Sequence, residues 1–153
     1  MYLKERNVME DIVKRLNEFL CNLETMKVKL QNYHWNVTGK GFFLTHEKLE
    51  DYYEETRKQI DEIAEHILTI GGQPLGTMED FIKNSEIQEA KNEKIKSMPI
   101  IKNVLQDLNS LKQKALKIKQ EAEKNQDYAT SALMDKYLEN YAKKIWMLNE
   151  TST

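Results

Sequence analysis

Apolar residues recur at three- and four-residue steps through four long stretches of this chain, and that period belongs to helices with one buried face. The first stretch runs Ile12, Leu16, Phe19, Leu20, Leu23, Met26, Leu30, Tyr33 and Val37. The second takes in Phe42, Leu49, Tyr52, Tyr53, Ile60, Ile63, Ile67 and Ile70. A third follows Pro99 with Ile101, Val104, Leu105, Leu108, Leu111, Ala115, Ile118 and Ala122, and a fourth carries Ala129, Leu133, Tyr137, Tyr141, Ile145 and Leu148. Five glycines and two prolines in 153 residues, against a usual share of about 12%, are too few turn formers for most sandwiches or barrels.

The breaks between stripes carry helix punctuation. Asn7 followed by Glu10 resembles a capping box at the start of the first helix. Gly39 and Gly41 separate the first two helices, Gly71, Gly72 and Pro74 suit the end of the second, and Pro99 is placed for a first helical position in the third. The third ends near Asn125, and Asp127 is the expected N-cap of the fourth. Short joins make antiparallel hairpins of helices one and two and of helices three and four. Residues 72 to 98 are long enough to cross the whole bundle, and Thr77 to Asn84 can add one short helix on the way. The expected fold class is therefore all-α, a ferritin-like four-helix bundle in one domain over residues 1–153, with a long crossover between helices two and three.

With 23 basic and 25 acidic residues the net charge is −2, which gives no overall pull toward nucleic acid. The longest apolar run, Ile145 to Leu148, is far short of the roughly 20 residues that span a bilayer. The first residues, Met-Tyr-Leu-Lys-Glu-Arg, are charged where a secretory signal is apolar, so the expected location is the cytoplasm. The single cysteine, Cys21, sits among apolar helical positions and reads as a small buried side chain.

Chemistry concentrates around the first turn. His34 and His46 flank it at equal distances, and an antiparallel hairpin sets such residues side by side. Glu50 lies one helical turn beyond His46, and Asp61 and Glu65 repeat that spacing further along. At ~100° per residue these groups flank the apolar stripe and do not point to the bundle centre. No Glu-x-x-His occurs, so the usual di-iron site inside one ferritin-like bundle is not supported. An acidic pair at this spacing is also common on any solvated helix face. His46 and Asp61 are separated by roughly 22 Å of helix, too far for one metal. Two copies of the second helix packed antiparallel about a twofold axis between residues 55 and 56 would instead place residue i near residue 111 − i. Then 46 meets 65 and 50 meets 61, closing two identical sites at once. Such mixed imidazole and carboxylate ligation suits iron, zinc or manganese.

Tyr33-His34-Trp35-Asn36-Val37, with Gly41-Phe42-Phe43 and Thr45-His46-Glu47, strongly resembles the Dps family, the dodecameric mini-ferritins of bacteria. The likeness continues through Asp61 to Glu65 and Gly71 to Thr77, and returns at Trp146-Met147-Leu148. The resemblance implies a metal site at a twofold interface, with His34, His46 and Glu50 from one subunit and Asp61 and Glu65 from its neighbour. It further implies a ferroxidase that oxidises Fe(II), preferably with hydrogen peroxide and otherwise with oxygen, and stores ferric product in a shell of twelve subunits. Trp35 matches a tryptophan thought in the family to trap stray oxidising equivalents, its alternative being an interface aromatic. The resulting expectation is an iron-storage and detoxification protein that protects against oxidative damage. The competing reading is a DNA-compacting nucleoid protein with incidental iron binding.

Three departures from the family pattern stand out. His66 occupies a position where the family usually has arginine, replacing an always charged fork with a titrating ring. Ala132 stands where some relatives place an acid along the iron-entry pore. The lysine-rich tail of many DNA-binding relatives is not found in this sequence, so DNA binding is not expected.

Overall fold

A computed structural model describes residues 1–153. Its elements are α1 (Tyr2–Asn36), β1 (Val37–Thr38), α2 (Phe42–Thr69), α3 (Met78–Asn84), β2 (Ile95–Lys96), α4 (Ser97–Lys124) and α5 (Tyr128–Thr151). The four stripes appear as the four long helices, paired α1 with α2 and α4 with α5. Their apolar faces meet in one core. From α1 it takes Ile12, Leu16, Phe19, Leu23, Met26 and Leu30; α2 adds Leu49, Ile63 and Ile67, α4 adds Val104, Leu111 and Ile118, and α5 adds Met134, Tyr137 and Tyr141. Each such side chain contributes about 1.5–3 kcal/mol on leaving water. Cys21 is buried among them as a free thiol whose pKa burial pushes up to about 11, which makes it inert. No helix is long and apolar enough to cross a membrane.

The punctuation holds at most boundaries. Gly41 has φ 80° and sits directly before α2, a left-handed conformation that suits glycine. Gly72 is needed for a different reason: a Cβ there would lie 2.6 Å from Val13 Cγ2, so only glycine lets the end of α2 approach α1. Thr77 caps α3 and Asp127 caps α5, each side chain accepting from the amide three residues on. Two expectations are corrected. α1 begins at Tyr2 and not at an Asn7 capping box, because the residues before the stripe simply continue the helix and no side-chain cap forms. Pro99 lies two residues inside the start of α4, still within the first turn, where a missing N–H leaves no bond unmade.

The crossover is pinned from below by polar residues inside the apolar stripe of α1. Asn17 donates to the Gln73 carbonyl at 3.0 Å and accepts from the Leu75 amide at 2.9 Å. Asn22 Oδ1 accepts from the Ser85 hydroxyl and from the amides of Glu86 and Ile87. Where the crossover ends, Val37 and Thr38 pair in parallel with Ile95 and Lys96, tying the α1–α2 turn to the start of α4. Lys29 and Asp107 join α1 to α4 as a buried ion pair at 2.7 Å, close but out of hydrogen-bond alignment. Burial raises the Asp107 carboxyl, and Lys29 opposes that rise.

Candidate metal centre

His34 stands in the last turn of α1 and His46 near the start of α2, and the hairpin brings their rings into a stack 3.7 Å apart at 14°. His34 Nδ1 lies 2.7 Å from the His46 carbonyl, and His46 Nδ1 lies 2.8 Å from the His34 carbonyl. A carbonyl oxygen only accepts, so each Nδ1 carries the proton. In the neutral ring this leaves the lone pair on Nε2, and a second-shell bond of this kind is how proteins orient imidazole ligands. Phe42 stacks on His46 at 5.0 Å and Tyr53 meets His34 edge-on at 5.4 Å, which holds both rings in place. Burial, with the Glu50 and Glu54 carboxylates behind it, raises the Tyr53 phenol and keeps it protonated. These two aromatic supports and the reciprocal carbonyl contacts were not named from sequence. The spacing of Tyr53, two helical turns beyond His46, is the signal that could have found it.

Glu50 is exposed one turn along α2 from His46, and Asp61 and Glu65 are exposed further down the same helix. Asp61 and Glu65 border a shallow depression of about 440 Å³ with Lys58, His66 and Leu133. Thus the fold brings the two histidines together and leaves Asp61 and Glu65 apart from them. Within one chain no group of three His, Cys, Asp or Glu side chains is placed to hold a metal ion.

The bundle interior offers no alternative. The carboxylates of α2 that face α5 are already engaged: Glu55 receives Lys144 and Asn140, while Glu62 receives the Tyr137 hydroxyl at 2.6 Å and Lys136 at 2.9 Å. His66 completes this row by donating from Nε2 to Thr130 Oγ1 at 2.8 Å, since the Thr130 hydroxyl proton goes to Asp127 at 2.5 Å. Burial lowers the His66 pKa, against the raising pull of Asp127 and Glu62. The residue in the arginine position is therefore committed inside its own chain.

A four-helix bundle with this crossover and paired histidines at the hairpin defines a ferritin-like protein, and the ferritin-like domain family matches residues 13–152. The chain is 33% identical over 138 residues to the DNA protection during starvation protein of Listeria monocytogenes, covering 90% of this chain and 88% of that one. It is 34% identical over 140 residues to general stress protein 20U of Bacillus subtilis, covering 91% and 95%. Among solved structures, the Dps protein of Vibrio cholerae, described as belonging to a broad superfamily of ferritin-like diiron-carboxylate proteins, superposes with a TM-score of 0.93 at 30% identity. The likeness covers 96% of this chain and 92% of that one. A Dps protein of Bacillus brevis gives 0.93 at 31%, covering 96% and 98%. The chain belongs to the Dps family.

Proposed function

We propose that this protein is a ferroxidase whose metal sites are shared between two subunits, His34, His46 and Glu50 coming from one and Asp61 and Glu65 from the other. The observation that carries the reading is the reciprocal lock between the histidines: both Nδ1 atoms are tied to main-chain carbonyls, which leaves two Nε2 lone pairs on one hairpin. Two imidazoles are an incomplete set, and the exposed carboxylates that would complete it lie roughly 15 residues further along α2, beyond the reach of one ion. A twofold partner supplies them at no cost in additional residues. The donor set of imidazole and carboxylate fits ferrous iron, which enters here as substrate.

The chain's own groups divide the work. His34 and His46 hold the ion without reorientation, and the carboxylates offset its charge as it rises on oxidation. Hydrogen peroxide, or oxygen, is the oxidant. Two ferrous ions give one electron each, the O–O bond of peroxide breaks as it takes both, two protons are taken up so that two waters leave, and no hydroxyl radical is released. The ferric product is stored inside a shell of twelve subunits, and the cell is spared oxidative damage. Trp35, 67% exposed beside His34, is the side chain placed to intercept stray oxidising equivalents.

The deciding experiment adds Fe(II) anaerobically, then hydrogen peroxide, and follows ferric absorbance together with peroxide consumed. One peroxide consumed for every two irons supports the mechanism. Consumption that is unchanged by His34→Ala with His46→Ala would overturn it.

A further inference from the structure

A recess of about 350 Å³ opens between α1 and α4, beside the end of α3. Arg15 and Glu18 of α1, Lys83 of α3, Glu86 just beyond it, and Lys114 and Lys117 of α4 line it, a net of +2 in a chain whose whole balance is −2. It stands apart from the metal centre, since Glu18 and His34 are separated by roughly 24 Å of helix. The neutral polar groups of the recess are already engaged. Asn22 Oδ1 accepts from the Ser85 hydroxyl and two amides, and Asn84 Nδ2 donates to the Asp80 carbonyl at 2.9 Å, so the rim is held in shape. Lys114 donates to Glu86 at 2.5 Å, and that bond, with the Lys117 charge behind it, lowers the Glu86 carboxyl. Arg15, Lys83 and Lys117 are left over: all three are exposed, and none forms an ion pair within the chain. Their convergence sets them apart from other free lysines, because three elements bring them to one concavity. Like charges gathered against low-dielectric walls focus their field, so the recess draws an anion. Glu18 is its one carboxylate without an ion-pair partner.

We propose that this recess binds inorganic phosphate as its singly protonated dianion. Arg15 offers the planar fork that matches two phosphate oxygens, and Lys83 and Lys117 approach as point charges. Glu18 sets the choice among anions, because an ionised carboxylate can only accept a hydrogen bond. At about pH 8 inorganic phosphate retains one proton to donate, whereas a phosphate monoester, with its second pKa near 6, has lost its last. Sulfate has none either. Beside Glu18, inorganic phosphate therefore gains a bond, and sulfate or a monoester meets only repulsion.

The test follows inorganic phosphate by phosphorus-31 relaxation at about pH 8, with the full chain stripped of metal in a low-salt chloride buffer. Phosphate should relax faster when the protein is present. Sulfate or adenosine 5′-monophosphate should displace it only at about tenfold excess or more, the worth of one hydrogen bond to a charged group. Arg15→Ala with Lys83→Ala should weaken binding by about tenfold, and the melting temperature should not move, because both side chains are exposed and partnerless. Glu18→Ala separates charge from recognition: sulfate should bind about two- to fivefold more tightly, and the preference for phosphate should vanish. Relaxation that the double variant leaves unchanged would place the phosphate elsewhere and overturn the site. Sulfate or the monoester displacing phosphate one for one from the parent chain would overturn the assignment to inorganic phosphate. Displacement by duplex DNA at about 150 mM salt would make the recess a nucleic-acid surface, and the proposal would fail.

Discussion

His34 and His46 hold each other: the ring nitrogen of each donates to the main-chain carbonyl of the other, at 2.7 and 2.8 Å. Both rings are thereby expected as Nδ1–H tautomers with Nε2 unprotonated when neutral. Long-range proton–nitrogen spectra of the neutral rings should show that pattern. Adding Zn2+ should then shift the Nε2 signals and leave Nδ1 protonated. Nδ1 signals of the unprotonated type would remove the physical basis for treating these rings as prepared ligands.

Complementation between damaged chains locates the site. His34→Ala with His46→Ala in one variant, and Asp61→Ala with Glu65→Ala in another, should each be nearly inactive, since every site lacks half of its ligands. Unfolded and reassembled together, they form mixed pairs in which one site joins both intact halves. Iron oxidation by peroxide should reappear, at up to one working site per mixed pair. Mixed assemblies verified by native mass but no more active than their parents would exclude sharing.

Asn22 is a stability prediction. Its side chain is the acceptor for the Ser85 hydroxyl and for the Glu86 and Ile87 amides, the last of them buried. Asn22→Ala removes the acceptor shared by the Ser85 hydroxyl and the Glu86 amide and leaves the Ile87 amide with the Ser85 hydroxyl alone, and should cost about 1–3 kcal/mol, read as a lower urea midpoint with an unchanged slope.

Four helices, their hairpin pairing and the crossover were all legible, because burying one face imposes a period on thirty residues at once. The histidine pair was legible for a related reason: equal distance from a turn becomes adjacency in a hairpin. The start of α1 was not, since Tyr2 to Arg6 face solvent and no stripe reports where such residues stop being helical. Nor were the crossover anchors read, although Asn17 and Asn22 were visible as polar residues in an apolar stripe. An isolated asparagine there announces that something must bond to it, without naming the amides that will. Asp61 and Glu65 remain the hardest case, because their proposed partners lie on another copy of the chain.

Buried tyrosines set an alkaline limit. Burial, and then the Glu55 carboxylate, pushes the Tyr141 phenol far above its usual range, and Tyr137 is raised by burial and its bond to Glu62. In the unfolded chain both ionise near pH 10, so above that pH the unfolded state binds fewer protons than the fold and stability falls. The slope is up to about 1.4 kcal/mol per pH unit for each tyrosine. Tyr141 reaches Gln59 only at 3.4 Å, so Tyr141→Phe should be nearly neutral at pH 7 and should flatten the loss above pH 10. An unchanged alkaline slope would exclude Tyr141 as a source.

DNA affinity comes from Lys and Arg displacing counterions from phosphates, and at −2 per chain a shell of twelve would carry about −24. No shift of duplex DNA is expected in gels at about 150 mM salt. A clear shift abolished by replacing Lys91, Lys94 and Lys96 would restore the nucleoid reading.

The parallel bridge between Val37–Thr38 and Ile95–Lys96 has a consequence for the integrity of the chain. Together with Asn17 and Asn22 it fastens the crossover to α1 at its beginning, middle and end, so that few residues, Gln88 to Lys94, run between fixed points, touching the bundle there through Ala90 and through Asn92, which accepts from Asn32. The backbone there serves as a tether between two hairpins that already recognise each other through their shared core. Severed at that place, the molecule becomes two interlocking pieces, a helical hairpin carrying the histidines and the crossover anchors, and a second hairpin that closes over it.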